Sequence, residues 1–229
     1  METFPRFGLG TFLSEPGLTR EAVRCAIEDA GYRNLDCAWV YGNEAEVGEA
    51  LHDLFERKVV KREEIWVTSK LWCNAHHRED VEPQCRETLK NLQLDYLDLY
   101  LVHFPVAFQK VEGNPTPIID GKVLVDETVS VIETWIAMQE LVKKGLVKRI
   151  GVSNFNIELM EKMRFHPDIT IQPYTNQVAC NLYMQQEALI DYCKKRNIIV
   201  TAHTAIGRPP DTVGEPVLLE DEELVKVAN

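Results

Sequence analysis

The sequence predicts an α/β fold, a (β/α)8 TIM barrel truncated after strand seven. Three observations carry this expectation. Short apolar runs alternate with helical periodicities along all 229 residues, as repeated βα units do. Polar, chemistry-bearing residues follow strand after strand, the habit of a barrel that builds its site from the loops at one end. The competing open doubly wound sheet should carry a glycine fingerprint after its first strand, yet Gly8 and Gly10 begin a G-x-G that fails at Leu13, where no helix opens.

The elements read in order. Arg6–Thr11 is the first strand. A helix follows from Thr19, a candidate N-cap, with Val23, Ala26, Ile27 and Ala30 on one face and Gly31 as its stop. Asn34–Asp36 is a short second strand, and the next helix aligns Val47, Leu51, Leu54 and Phe55. Ile65–Ser69 is the third strand, followed by a helix marked by Val81, Cys85, Thr88, Leu89 and Leu92. Leu97–Val102 is apolar but for Asp98, as a parallel strand covered on both faces should be. Pro105 to Glu127 is an insertion containing Pro and Gly. A fourth helix turns Val131, Ile132, Trp135, Met138, Leu141 and Val142 inward. Val147–Val152, a helix near Asn156–Arg164, Tyr174–Val178, the helix Gln185–Arg196 and Ile198–Ala202 complete the run of strands. A loop over Gly207–Pro216 leads to a last helical piece, Leu219–Val227.

No linker or change of composition divides residues 1–229, so one barrel domain is expected, with the eighth βα unit and the C-terminal loop absent. A missing strand leaves a slot roughly 10 Å wide between the first and seventh strands.

The net charge of −11 argues against a nucleic-acid or anionic-membrane partner. No apolar stretch approaches the roughly 20 residues that span a bilayer, and no secretory signal is visible. Six cysteines without a CxxC pair read as reduced thiols of a cytoplasmic protein.

The chemistry lies in four islands: DCAWVYGNE (Asp36–Glu44), TSKLW (Thr68–Trp72), LVHFP (Leu101–Pro105) and GVSNF (Gly151–Phe155). The first three put Asp36, Tyr41, Lys70 and His103 at or just beyond strand ends. Reducing a carbonyl needs a hydride on carbon and a proton on oxygen. A free phenol has a pKa near 10. An adjacent ammonium should lower it, and a carboxylate should keep that ammonium charged. Asp36, Tyr41 and Lys70 fit these tasks, and His103 can hydrogen-bond the substrate oxygen. Singly, each reads as ordinary: a Tyr-Gly turn, a solvated lysine. Together on consecutive strand ends they read as a site.

These residues lie in longer motifs: GLGT at Gly8–Thr11, GYRNLDCAWVYGNEAEVGEAL at Gly31–Leu51, KREEIWVTSKLW at Lys61–Trp72, LDYLDLYLVHFP at Leu94–Pro105, GLVKRIGVSNFN at Gly145–Asn156 and NQV at Asn176–Val178. On these motifs the chain resembles the aldo-keto reductases, in the aldose and aldehyde reductase branch, essentially from end to end. The resemblance implies an NADPH-dependent oxidoreductase that reduces aldehydes or ketones on a barrel without a Rossmann fold. It makes Asp36, Tyr41, Lys70 and His103 the catalytic tetrad. It assigns Ser153, Asn154 and Gln177 to the nicotinamide amide and Thr11 and Asp36 to the same region. His203, Thr204 and Ile206 fall in the cofactor-binding stretch after strand seven, and Phe12, Trp39, Trp72, His103 and Phe104 in the substrate pocket, where ordinary core packing is the alternative for the aromatics.

Departures from the family pattern are specific. His203-Thr204-Ala205-Ile206-Gly207 stands where Y-S-P-L-G is usual, Phe12 and Phe104 where tryptophan is common, and Asn181 where histidine is frequent. The family's 2′-phosphate contacts lie at and after strand eight, so NADPH over NADH is inherited from the resemblance alone, and a chain ending at Asn229 is expected to bind cofactor weakly. A small carbonyl substrate is the expected partner, and a monomer is expected rather than an oligomer. Two rivals remain: a catalytically impaired barrel serving as a binding or regulatory protein, and a metal-dependent hydrolase barrel. Against the second, no H-x-H follows the first strand and His76-His77 lack ligand spacing, so no metal is expected.

Overall fold

In the computed structural model, residues 4–207 and 217–228 are described. Seven parallel strands lie in chain order: β1 (Leu9–Gly10), β2 (Asn34–Asp36), β3 (Trp66–Leu71), β4 (Leu99–Val102), β5 (Ile150–Ser153), β6 (Thr175–Ala179) and β7 (Ile199–His203). Helices connect them: α1 (Thr19–Arg24), α2 (Glu44–Glu56), α3 (Arg78–Leu92), α4 (Val131–Lys143), α5 (Ile157–Arg164) and α6 (Glu187–Lys194); α7 (Glu222–Ala228) comes last. Sequence order equals sheet order, as successive βα units of one hand require.

The sheet is curled. Gln177 Nε2 on β6 donates to Asp36 Oδ1 on β2 at 2.9 Å. Four strand spacings separate β2 from β6, roughly 19 Å along a flat sheet. A direct bond across that span therefore needs the sheet to curl until β6 faces β2.

Alternation along each strand divides the core in two. Val67, Leu71, Tyr100, Val102, Ile150 and Val152 face the helices and join the main hydrophobic cluster with Leu51, Leu54, Trp135 and Met138. Trp66, Leu99 and Leu101 face the barrel interior and pack with Phe4 and Tyr174. Lys70 shares the interior face with Trp66, and it sits nearer the C-terminal end of β3. The interior thus changes from apolar packing at one end to polar side chains at the other.

Several boundaries differ from the sequence reading. Only Leu9–Gly10 of the first expected strand is paired. Thr19 does not cap α1. Its amide and that of Gly17 instead donate to the Glu46 carboxylate of α2, at 3.1 and 2.9 Å. These backbone donors, Gly17 first, hold the Glu46 carboxyl below its ordinary pKa. Past α1 the chain widens into a π-helical turn, Cys25–Asp29, and stops at Gly31, whose φ of 72° suits a residue without Cβ. The insertion carries a small antiparallel hairpin, Ile118–Ile119 against Lys122–Val123. Of the expected loop Gly207–Pro216, positions 208–216 lie outside the described residues.

Candidate active site

Lys70 is among the largest fully buried side chains, at 1 % exposure. An interior-facing position on a central strand leaves an ammonium no route to solvent, so it must find acceptors within the protein. Nζ contacts Asp36 Oδ2 at 2.8 Å, the Cys37 carbonyl at 2.9 Å and Tyr41 Oη at 3.3 Å. Burial works against its charge, but Asp36 and Tyr41 outweigh burial and hold the lysine pKa above its ordinary value. The Cys37 carbonyl is a partner that no side-chain pattern could announce.

Tyr41 ends a 3-10 turn, Trp39–Tyr41, and Gly42 at φ 70° redirects the chain into α2. The expected lowering of the phenol pKa is not what the protein groups produce. Burial pushes Tyr41 up more than Lys70 pulls it down, and the net shift is upward. The Asp36 carboxylate adds a smaller push in the same upward direction. Tyr41 is therefore held as the protonated phenol.

His103, just beyond β4, is surrounded by rings. Tyr41 and Trp72 meet it edge to face at 5.8 and 5.0 Å between centroids, and Phe104 stacks on it at 5.1 Å. Burial, reinforced by Lys70 and His203, drives its pKa down to about 2, so the imidazole is neutral. Its Nδ1 is buried without a hydrogen-bond partner among the described residues. Trp72 sits edge to face with Phe104 at 6.0 Å and Phe108 at 5.8 Å, and its Nε1 donates to the Pro115 carbonyl at 2.9 Å. Phe12 lies 5.0 Å from the Tyr41 ring and is exposed. Trp39 is half-buried in the turn before Tyr41. Phe108 was not singled out in the sequence; it lies in an insertion without periodicity.

A second group of polar side chains occupies the ends of β5, β6 and β7. Ser153 Oγ donates to the Gln177 carbonyl at 2.9 Å. Asn154 Nδ2 donates to the His103 carbonyl at 3.0 Å and Ser153 Oγ at 3.1 Å. His203 Nε2 lies 3.1 Å from Asn154 Oδ1, and its Nδ1 lies 2.9 Å from Thr204 Oγ1. Since Asn154 Oδ1 can only accept, His203 donates from Nε2. Burial and the charge of Lys70 lower the His203 pKa. Asn154 and Thr204 have φ of 63° and 57°. For a β-branched threonine that conformation is strained, and strain of this kind collects at functional sites. Thr11 is buried beside Asp36, its amide donating to the Asp36 carbonyl at 3.1 Å. Ile206 is exposed past β7.

Two further residues tie the site together. Asn43 Nδ2 donates to the Thr11 carbonyl at 2.7 Å. Glu44 Oε1 accepts from Ser69 Oγ at 2.6 Å. Both lie inside the DCAWVYGNE island, which was the available signal. His76 and His77 diverge. His76 is buried, whereas His77 pairs with Asp126 at 2.8 Å. No group of three or more potential metal ligands occurs among the described residues.

A curled parallel sheet with a carboxylate, phenol, ammonium and imidazole gathered at its C-terminal end is the layout of a barrel oxidoreductase. Comparison narrows the class. Residues 7–209 match the Aldo/keto reductase family. The chain is similar to aldo-keto reductase family 1 member A1 of Gallus gallus, with 46 % identity over 99 % of this chain and 69 % of that protein. The protein of that name from Homo sapiens is also 46 % identical, over 99 % of this chain and 70 % of its own length. The solved aldose reductase of Giardia lamblia superposes with a TM-score of 0.94 at 38 % identity, covering all of this chain and 74 % of that one. The chain belongs to the aldo/keto reductase family.

Proposed function

We propose that this protein reduces aldehydes and ketones to alcohols with NADPH, using Tyr41 as the proton donor. The observation that carries the proposal is the contact chain Asp36–Lys70–Tyr41, at 2.8 and 3.3 Å, inside a buried pocket end. Tyr41 is held protonated by burial, as a general acid must be before it acts. When the carbonyl oxygen gains charge, Tyr41 gives up its proton, and the phenolate left behind faces the Lys70 ammonium. Asp36 keeps that ammonium charged. His103, neutral at working pH, orients the substrate oxygen by a hydrogen bond.

The residues present suit a nicotinamide. Ser153, Asn154 and Gln177 supply a hydroxyl and two carboxamides on neighbouring strand ends, a donor and acceptor set matched to another carboxamide. Asp36 and Thr11 border the same space, and His203, Thr204 and Ile206 follow β7 beside it. When bound, NADPH supplies the hydride. The protein's part is to present one face of the ring to the carbonyl carbon, a positioning effect. Phe12, Trp39, Trp72 and Phe104, with Phe108, form apolar walls suited to aromatic or aliphatic carbonyls. We further place the protein in the cytoplasm as a monomer of one barrel domain. Six cysteines without disulfide partners fit a reducing compartment, and no helix among the described residues is long and apolar enough to cross a membrane.

The test is oxidation of NADPH with a simple aromatic aldehyde, followed by nicotinamide absorbance. Turnover that disappears in Tyr41→Phe supports the proposal. Equal turnover in the variant removes Tyr41 from the chemistry.

A further inference from the structure

Glu44 is a buried carboxyl that the reaction above does not use. It stands at the start of α2, just past the turn that carries Tyr41, and is 2 % exposed. A carboxyl buried without a cation is expensive, and a hydrophobic residue of similar size would normally be at least as stable there. Burial raises its pKa, with Ser69 and then Thr88 and Asn91 opposing. What it does in the fold is make a contact. Ser69 Oγ donates to Glu44 Oε1 at 2.6 Å, between residues 25 apart in sequence. Ser69 immediately precedes Lys70 on β3. Because side chains alternate, Lys70 points into the barrel and Ser69 points out toward the helices. The bond therefore joins the back of the Lys70 strand to the segment that carries Tyr41.

The helix packing holds Glu44 in this place. One turn further along α2 is Gly48, where a Cβ would collide with the backbone carbonyl of Asn91 on α3. That close approach turns the first residues of α2 into the cleft between β3 and α3. On its other side, the same segment is fixed to the residue that follows β1 by Asn43 Nδ2 and the Thr11 carbonyl at 2.7 Å. The turn bearing Tyr41 is thus fastened to the strand on each side of β2. The contact at stake is long: Lys70 Nζ to Tyr41 Oη is 3.3 Å, when charge-assisted N–H···O contacts commonly fall near 2.7–2.9 Å. A displacement of a few tenths of an ångström removes it.

We infer that Glu44 is a positioning residue for the Tyr41–Lys70 pair: through Ser69 it ties the Tyr41 turn to the Lys70 strand and sets the separation of phenol and ammonium. This rests on the proposed reductase function for its kinetic consequence but not for its geometric one. The tie needs a hydrogen-bond acceptor of the right length, not a charge.

Three variants and two readouts test it: Glu44→Gln, Glu44→Leu and Ser69→Ala, each confirmed folded by circular dichroism. The first readout is NADPH-dependent turnover of an aromatic aldehyde together with the NADPH dissociation constant. The second is the titration of residue 41, followed by NMR of tyrosines labelled at Cζ and assigned with Tyr41→Phe. Glu44→Gln is expected to keep turnover within about twofold. Glu44→Leu is expected to lower kcat by about 10- to 100-fold, the usual effect of a small misplacement, with NADPH affinity unchanged and the Tyr41 titration moved upward. Ser69→Ala should move both in the same direction by less, and it decides the matter if Glu44→Leu does not fold. A folded Glu44→Leu with normal turnover and an unmoved Tyr41 titration overturns the inference. So does a Glu44→Gln as impaired as Glu44→Leu, since that assigns the effect to charge. If the wild-type protein turns over no carbonyl, the proposed function fails, and the Tyr41 titration in the variants still decides the tie.

Discussion

Replacing Lys70 with methionine removes the ammonium and keeps a flexible chain of similar length in the barrel. The magnitude follows from the contacts. At an effective dielectric constant of about 20, an ammonium and a phenolate 3.3 Å apart attract by about 5 kcal/mol. Asp36, 2.8 Å from the same nitrogen, opposes part of that attraction for the phenolate. Roughly half remains, near the 2.7–4 kcal/mol typical of removing one preorganised donor, or about 10²- to 10³-fold in kcat. Two effects on stability oppose each other. Asp36 loses its cation but keeps Gln177 Nε2 at 2.9 Å and is 24 % exposed at its side chain, while the cost of burying an ammonium disappears. The assay is single-turnover reduction of an aromatic aldehyde by NADPH, with cofactor affinity measured separately by fluorescence. Loss of the chemical step with cofactor affinity held to within a few-fold is expected. A Lys70→Met protein within about tenfold of wild type refutes the electrostatic role. A loss confined to NADPH affinity reassigns Lys70 to cofactor binding.

An unfolded imidazole takes up its proton near pH 6.5, whereas buried His76 does so only at about 4. Between those values the unfolded chain binds the extra proton, so stability falls as pH drops through 6.5 and levels off below about 4. One group with this shift accounts for about 3 kcal/mol over that window. Urea unfolding at pH 7.5 and 5 should show a shallower decline in His76→Gln, and identical declines would contradict this. Gly48→Ala forces a methyl against the Asn91 carbonyl and should cost about 1–3 kcal/mol by chemical denaturation. An unchanged midpoint would deny that α2 and α3 abut there. Trp72→Phe removes the 2.9 Å bond to the Pro115 carbonyl, worth about 1 kcal/mol. It should speed proteolysis within 105–127 and raise KM for aromatic aldehydes severalfold, and cleavage at the wild-type rate would show that the bond does not hold the insertion.

Much of the barrel was legible because the strand at its centre, Leu99–Val102, is an uninterrupted apolar run. Leu97–Val102 could hardly be anything else, and only its first residues shift, with Leu97 bridging Val147 ahead of the regular strand. The first strand was overextended because Arg6–Thr11 lacks such a run, and only Leu9–Gly10 finds partners. Thr19 failed as a cap because it is itself the first helical residue, and its unpaired first-turn amide is met by Glu46 of another helix. The motif islands pointed to the candidate site, since each places its polar residue just where a strand ends. Local pattern could not give the bond between Gln177 and Asp36, which spans 141 positions and exists only because the sheet curls. Nor could it give the sign of the Tyr41 shift. The sequence names the lysine that lowers the phenol pKa, but the desolvation that raises it further comes from packing.

In the proposed reaction the Tyr41 hydroxyl delivers the proton while NADPH delivers the hydride. The most direct measurement is single-turnover reduction of an aromatic aldehyde by wild type and Tyr41→Phe, with NADPH affinity determined for both. Tyr41→Phe is expected to bind NADPH as the wild type does and to reduce nothing measurable. A variant that binds NADPH and reduces the aldehyde at the wild-type rate would contradict it.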